Sequence, residues 1–302
     1  MDSNDVDDTS KVIGILSSRK LASILKVNVD ELRSVAKNAS SFYRPFFKLK
    51  PKKRKIDNPT GRLKVIQKAI DDKLLKKIKL PETVLGGVLG KSVRDNAAFH
   101  TGQPVIVTID IKKCFPNTKG FSVFKLFRNY FKYSTVNAKL LTSLTTVGDY
   151  VPQGSPCSSS IINLCLLSLH NDFQKLVAKY GLVCTIWVDD ITISGKDSDI
   201  HIDEYVSILK KYQYKTQCKK VKVMRESKKQ EVTGIAVNKY VSVPSKKISE
   251  IKKIIHDIRT KKLDENSKEY IGLKGKMGFV RYVNVKQFDK LNKFLLKCGI
   301  KI

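Results

Sequence analysis

The sequence predicts an α+β fold, in which an antiparallel sheet is backed by helices and followed by a helical C-terminal lobe. Three observations carry that prediction. Residues 105–111, 182–186 and 191–194 are short runs dominated by Val, Ile and Thr, which suit a pleated, buried surface. The second and third runs are separated only by Trp187-Val188-Asp189-Asp190, so they read as two arms of a hairpin. Most other long segments have helical character, and residues 245–297 are helical and basic.

At 302 residues the chain exceeds the size at which single cores usually divide into lobes. Lys and Arg number 58 against 28 Asp and Glu, a formal charge of +30, while 41% of residues are hydrophobic. That combination excludes a basic tail and describes a folded protein with a polyanionic partner, because phosphates neutralised by Lys and Arg release counterions. Nucleic acid fits better than a membrane: no apolar run approaches ~18 residues, and no segment sets Lys around an aromatic apolar face. The first ten residues are acidic and polar, unlike a signal peptide, which makes the cytoplasm the expected location. Six cysteines (Cys114, Cys157, Cys165, Cys184, Cys218, Cys298) lack paired spacing and are expected as reduced packing residues. The four histidines are scattered, which leaves zinc without support.

Taken in order, residues 18–25 and 30–38 read as a helical pair, with Asp30 placed to cap the second. Phe42-Tyr43-Arg44-Pro45-Phe46-Phe47 leads into the basic run 48–55 and a turn at Asp57-Asn58-Pro59-Thr60-Gly61, a hairpin-like basic arm. An amphipathic helix follows over 63–78. Between 44 and 79 there are 14 basic and 3 acidic residues. A run of charges is usually only a solvated face, and that reading stays open; charges that bracket aromatics and a glycine turn also suit an arm closing over a triphosphate.

Gly86-Gly87-Val88-Leu89-Gly90-Lys91-Ser92 has the look of a phosphate-binding loop, but it is one residue short between its first glycine and Gly-Lys-Ser, and is rejected. Asn96-Ala97-Ala98-Phe99-His100 is one helical turn, polar at both ends, whose plain role is a capped helix end with a hydrogen-bonded histidine. After the strand at 105–111, Lys112-Lys113-Cys114-Phe115-Pro116-Asn117 makes a tight bend. Helices are expected over 121–131 and 138–146. Val151-Pro152-Gln153-Gly154-Ser155-Pro156 then opens a long helix, 159–180, whose first turn offers backbone donors to a phosphate. Beyond the hairpin come a helix over 203–212, a basic strand or turn over 214–223, and a strand over 232–237. Residues 211–302 hold 25 basic against 8 acidic side chains, and Gly272, Gly275 and Gly278 stand beside Phe279, Arg281 and Tyr282, which suits a grip on a duplex backbone.

The chemistry concentrates at the hairpin. Adjacent Asp189 and Asp190 at a buried turn repel each other and lose hydration, which is tolerated where cations sit, although Asp is also an ordinary turn residue. Asp110, at the end of another apolar strand, supplies a third carboxylate, and the three are the candidate catalytic residues.

From residue 42 to the C-terminus the sequence resembles reverse transcriptases. The ordered set that carries the resemblance is Arg44 with Pro59-Thr60-Gly61-Arg62-Leu63-Lys64, residues 110–116, Pro152-Gln153-Gly154, the acidic hairpin and Lys219-Lys220. Asn96-Ala97-Ala98-Phe99-His100 and Val232-Thr233-Gly234 are further similar to motifs of bacterial retron reverse transcriptases. The resemblance implies a right-hand polymerase: an acidic leader and helices over 1–40, fingers over 41–104, a palm over 105–243 with a fingers insertion at about 116–150, and a helical thumb over 244–302. It implies two Mg2+ ions, with Mn2+ as a substitute, about 3.5–4 Å apart and held by Asp110, Ile111, Asp189 and Asp190.

Nucleotide contacts would come from Arg62, Lys64 and Lys220, from Phe115 under the sugar, and from Gln153 lining the pocket. RNA contacts would come from Asn96, His100, Thr233, Gly234, Lys276 and Arg281. The implied partners are a structured noncoding RNA that serves as template and primes from a guanosine 2′-hydroxyl, its DNA product, dNTPs, and an effector protein in antiphage defence. Two positions depart from the family. Trp187 replaces the usual Tyr before x-Asp-Asp, keeping an aromatic wall without the hydroxyl, and Ser159 replaces a Pro at the helix start. Another stand-alone defence-associated reverse transcriptase, or an RNA-binding protein with an inactive palm, are the readings left open.

Overall fold

The computed structural model describes residues 9–49, 53–216, 221–260, 262–263 and 267–300. Helices α1 (Ser18–Leu25) and α2 (Val29–Lys37) form the expected N-terminal pair. The second is capped by Asn28, whose side chain accepts from the Asp30 amide, so the cap stands two residues before the expected Asp30. Strands β1 (Tyr43–Lys48) and β2 (Arg54–Pro59) pair antiparallel from Tyr43↔Pro59 to Lys48↔Arg54. The chain therefore reverses between Lys48 and Arg54, and the expected turn at Asp57-Asn58-Pro59 is strand; Pro59 is tolerated there because it ends an edge strand. Helix α3 (Gly61–Lys73) buries Leu63, Ile66 and Ile70 at helical spacing and leaves Arg62 and Lys64 outside.

Helix α4 (Val93–Ala98) opens on a capping box between Ser92 and Asp95. Strand β3 (Val105–Asp110) leads through Lys113, at φ +49, into the single turn α5 (Cys114–Asn117), where a bend was expected. Then come α6 (Gly120–Lys125), which runs on as a π-turn, and α7 (Thr135–Thr145). The long helix expected over 159–180 is two helices, α8 (Ser158–Cys165) and α9 (Leu167–Tyr180), broken at Leu166, where ψ is 0.

Strands β4 (Val183–Trp187) and β5 (Asp190–Gly195) make the predicted hairpin, followed by α10 (Ile202–Lys211) and β6 (Lys222–Arg225). Where one strand was expected over 232–237, two very short ones fold back, β7 (Glu231–Val232) and β8 (Ile235–Ala236). Thr233 at φ +47 and Gly234 at φ +79 both take left-handed backbone, as a two-residue hairpin turn requires. Helices α11 (Ser245–Arg259), α12 (Lys268–Val283) and α13 (Val285–Lys297) complete the chain.

The central sheet has the order β4-β5-β3-β6, antiparallel throughout. Its back face, with Val105, Val107, Ile109, Ile191 and Ile193, packs into a core that extends from Val12 to Tyr214 and joins the N-terminal helices to the helices behind the sheet. Ile106 points the other way, into a second core with Ala97 and residues between Val232 and Ile300. Cys114, Cys157, Cys165, Cys184 and Cys298 are free thiols, mostly buried, in keeping with a packing role; Cys218 lies outside the described residues. No helix among the described residues is long and apolar enough to cross a membrane.

Candidate active site

Strand register puts the acids on one face. Across β3 and β5, Asp110 pairs with Asp190, Thr108 with Thr192 and Ile106 with Ser194, and across β4 and β5 Trp187 pairs with Asp190. Side chains alternate with a period of two, so these residues share the face opposite the buried Ile109, Ile191 and Ile193. A slip of one residue would turn the acids into the core. Only Val188 and Asp189 remain for the turn. Val188 takes φ +58, a conformation that costs a β-branched residue ~1–3 kcal/mol and persists only where the surroundings over-determine it. The Ile111 amide donates to the Asp189 carbonyl at 2.9 Å, which ties the turn to the end of β3.

Asp110 and Asp189 are half-buried and Asp190 is exposed. Their charges are felt at Cys114: burial pushes its thiol up, and Asp189 and, less strongly, Asp110 add to the rise, so the group stays protonated. Among the described residues no set of three or more His, Cys, Asp or Glu stands as a ready-made metal cluster. The donors Asp110, Asp189 and Asp190 are hard oxygens, the chemistry that suits Mg2+ or Mn2+.

His100 lies on the same face of the sheet, fully buried, with Nδ1 2.7 Å from Ser194 Oγ and Nε2 2.7 Å from Thr185 Oγ1. Burial lowers its pKa to about 3, so the ring is neutral, donating through one nitrogen and accepting through the other. Asn96, also fully buried, donates from Nδ2 to Thr233 Oγ1 at 3.4 Å, and Thr233 Oγ1 donates to the Val93 carbonyl at 3.2 Å. Asn96 and His100, expected to contact RNA, both spend their side chains on contacts within the protein. Both side chains are 0% exposed; one ties α4 to the β7–β8 turn and the other staples β4 to β5.

Thr233 and Gly234 remain partly exposed and, with Trp187, Asp190, Thr108 and Lys222, line a cavity of about 480 Å3 beside the acidic turn. Sequence reasoning missed Lys222. Its register opposite Thr108 places it on the acid face, and the sequence alternation Lys220-Val221-Lys222-Val223 was the available signal.

On the other side, Gln153 is half-buried and its carbonyl accepts from the Asp57 amide at 2.7 Å. A Cβ on Gly154, which sits at φ +123, would stand 2.7 Å from Ile56 Cγ2, so the Pro-Gln-Gly loop lies directly against β2. Beneath it Ser155 Oγ donates to Gln67 Oε1 at 2.8 Å, and Gln67 Nε2 donates to Tyr43 Oη at 2.9 Å and to the Leu144 carbonyl at 2.8 Å. The Asp57 carboxylate accepts from Lys55 Nζ at 2.9 Å and Tyr150 Oη at 3.1 Å. The first turn of α8, expected to offer donors to a phosphate, already spends the Ser158 amide on the Ser155 carbonyl at 3.3 Å.

Arg62 and Lys64 are exposed at the start of α3, and Arg62 Nε pairs with the Glu31 carboxylate of α2. Phe115, in α5, is half-buried against the core. Lys220 lies outside the described residues. Lys276 and Arg281 are both exposed on α12, but a separation of five residues turns them ~140° apart. The Arg281 guanidinium rests 5.6 Å from the Phe288 ring centroid. The structure does not bring these two onto one face.

The family described as "Reverse transcriptase (RNA-dependent DNA polymerase)" matches residues 37–237. Retron Se72 reverse transcriptase of Salmonella heidelberg (strain 579083-10) is 31% identical over 200 residues, covering 65% of this chain and 52% of that protein. Retron Ec86 reverse transcriptase of Escherichia coli is 26% identical over 280 residues, covering 90% of this chain and 86% of that protein. The chain thus spans about half the length of the first relative and most of the second. A structure of telomerase from Candida albicans with a fragment of telomeric RNA aligns at a TM-score of 0.45 and 11% identity, over 87% of this chain and 61% of that one. The family match covers more than half of the chain and takes in the basic arm, the Pro-Gln-Gly loop and all three acids, and on that ground the chain belongs to the reverse transcriptase (RNA-dependent DNA polymerase) family, with retron reverse transcriptases among its relatives.

Proposed function

We propose that this chain is the RNA-directed DNA polymerase of a retron, copying a cognate structured noncoding RNA into DNA. The observation that carries the reading is the register pair Asp110↔Asp190 beside the turn residue Asp189, on the open face of the sheet and inside the family-matched segment. In this reading residues 41–104 are the fingers, 105–243 the palm and 244–302 the thumb. Asp110, Asp189 and Asp190, with the main chain of Ile111, would hold Mg2+ or Mn2+, which when bound supplies positive charge to a primer hydroxyl and to the pyrophosphate leaving group.

The chain's own residues position the reactants. Gln153, seated on β2 through the Asp57 amide, lines the nucleotide pocket, and Phe115 lies under the sugar and excludes a 2′-hydroxyl. Arg62 exchanges Glu31 for the triphosphate, with Lys64 beside it, and resemblance to the family adds Lys220 to the nucleotide contacts. Thr233, Gly234 and Lys222 face the primer side of the cavity, and Lys276 and Arg281 contact the RNA backbone. The partners are dNTPs, the RNA that templates and primes synthesis, and its DNA product. An effector protein, an antiphage role and a cytoplasmic setting belong to the same proposal and rest on resemblance to retron enzymes.

The test is RNA-templated DNA synthesis by Asp189→Asn combined with Asp190→Asn. Synthesis should fall by at least on the order of 10³-fold while RNA affinity stays within about twofold. Polymerisation retained in the double variant would remove these acids from the mechanism. RNA binding without DNA synthesis in the unaltered chain would favour the inactive-palm reading.

A further inference from the structure

The segment whose spacing falls one residue short of a phosphate-binding loop lies against the acidic turn. The Ile186 amide donates to the Thr83 carbonyl at 2.8 Å, and the Leu85 and Gly86 amides donate to the Ile186 carbonyl at 2.9 and 3.4 Å, so the segment runs beside the end of β4 as a short parallel bridge. Gly86 then lies flat on the Trp187–Val188 peptide. A Cβ there would stand 2.5 Å from the Val188 nitrogen, 2.7 Å from the Trp187 carbonyl carbon and 2.7 Å from Val188 Cγ2. Gly86 does not have positive φ, so backbone freedom is not what calls for glycine here. Close approach to the turn is.

The other side of Gly86 is held as firmly. Its carbonyl accepts from Asn163 Nδ2 at 2.8 Å, and Asn163 is buried on α8, the helix into which the Pro-Gln-Gly loop leads. Gly87 presses on the same helix, where a Cβ would stand 2.7 Å from Ser159 Cβ. The left-handed Val188 is thus backed by a bare backbone that is itself fastened to α8. Together with the Ile111 amide on Asp189, this contact is part of what surrounds and holds a β-branched residue at φ +58.

We propose that Gly86, locked by Asn163, is a positioning residue that fixes the backbone of the Val188 turn and through it the direction of the Asp189 and Asp190 carboxylates. The consequence for catalysis rests on the polymerase reading; the structural claim does not. Trp187, the chain's only tryptophan, sits at the turn and reports its geometry whether or not DNA is made.

Gly86→Ala in the full chain should shift Trp187 emission and lower kcat on the order of 10²-fold, with dNTP KM and RNA affinity within about twofold. Adding Val188→Gly removes Cγ2 and frees the turn to move aside, and should restore roughly tenfold of the rate and return the emission. Asn163→Ala introduces no clash; it should shift the emission and lower kcat about tenfold, and it decides the matter alone if Gly86→Ala does not fold. Unchanged emission and kcat in the folded variants would overturn the proposal. So would losses that track a lowered melting temperature and are not restored by Val188→Gly. If the unaltered chain makes no DNA, the polymerase reading fails, and Trp187 emission still decides the clamp.

Discussion

The acidic hairpin β4–β5 and the basic hairpin β1–β2 are built on opposite plans. The acidic one is an integral part of a four-stranded sheet, turns in two residues, and is held from three directions: the Ile111 amide on Asp189, Gly86 under Val188, and His100 between Thr185 and Ser194. The basic one is a two-stranded sheet by itself, with Phe46 and Phe47 more than half exposed and Lys53 Nζ 4.9 Å from the Phe47 ring centroid. It is fastened at its root, where Asp57 meets Gln153 and Thr60 meets the Phe42 carbonyl. In the proposed polymerase reading the difference follows from what each charge would do. Carboxylates that share cations must converge to within a few ångströms, so their backbone is over-determined. Attraction of a polyanion has sign and reach but little direction, so an exposed arm suffices.

The largest effect should come from breaking the staple of the acidic hairpin. His100→Ala leaves a cavity and two buried hydroxyls without their partner, and should cost roughly 3–4 kcal/mol in urea unfolding. A cost below about 1 kcal/mol would mean that Thr185 and Ser194 find other partners. The same residue sets a pH dependence. Its folded pKa of about 3 lies below the ordinary 6.5, so the unfolded chain binds the extra proton in between. The contribution is fully present above about pH 6.5 and is lost as pH falls toward 3; His170, also lowered by burial, acts with the same sign. Unfolding free energies at pH 7.5 and 5.5 should therefore differ less in His100→Gln than in the unaltered chain.

Next, Phe115→Ala, in the single turn α5 that follows β3, should raise ribonucleotide incorporation relative to deoxyribonucleotide on the order of 10–100-fold. Unchanged discrimination would take the sugar gate away from Phe115. At the root of the basic hairpin, Asp57→Asn keeps the amide that meets Gln153 but removes the charge that holds Lys55 and Tyr150 Oη; it should cost about 1–2 kcal/mol, with a rise in dNTP KM of roughly 3–10-fold as Tyr150, three residues before Gln153, loosens. An unaltered KM would show that the arm and the loop are independent. The smallest effects belong to the exposed bases. Lys276→Ala and Arg281→Ala, made singly, should each flatten the log–log salt dependence of RNA binding by about 0.9 for every phosphate that the side chain no longer neutralises. A slope that does not move places the RNA on another surface.

Much of the local structure was legible because it rests on local rules. Leu63, Ile66 and Ile70 mark α3 by their spacing, and the run of Val, Ile and Thr over 105–110 marks β3. The misplaced features are those that contacts decide. The reversal of the basic arm moved from Asp57 to the stretch after Lys48 because Asp57 pairs with Pro45 and gives its amide to Gln153. Asn28 took the cap from Asp30 through a bond that sequence spacing allows to either. Val232 and Ile235 both point into the second core, and a straight strand would send side chains three apart to opposite faces.

The sequence by itself determined that three acids end or join apolar strands, that the chain is basic around them, and that its motifs run in the order of a reverse transcriptase, since composition, period and motif order need no partner. The tertiary structure alone decided the register Asp110↔Asp190, the strained Val188 and its glycine support, and the burial of Asn96 and His100. His100 meets its two hydroxyls across 85 and 94 residues. Whether a polar side chain serves a ligand or satisfies the core depends on which distant groups would otherwise be left buried and unbonded, and that is fixed only when the strands have packed.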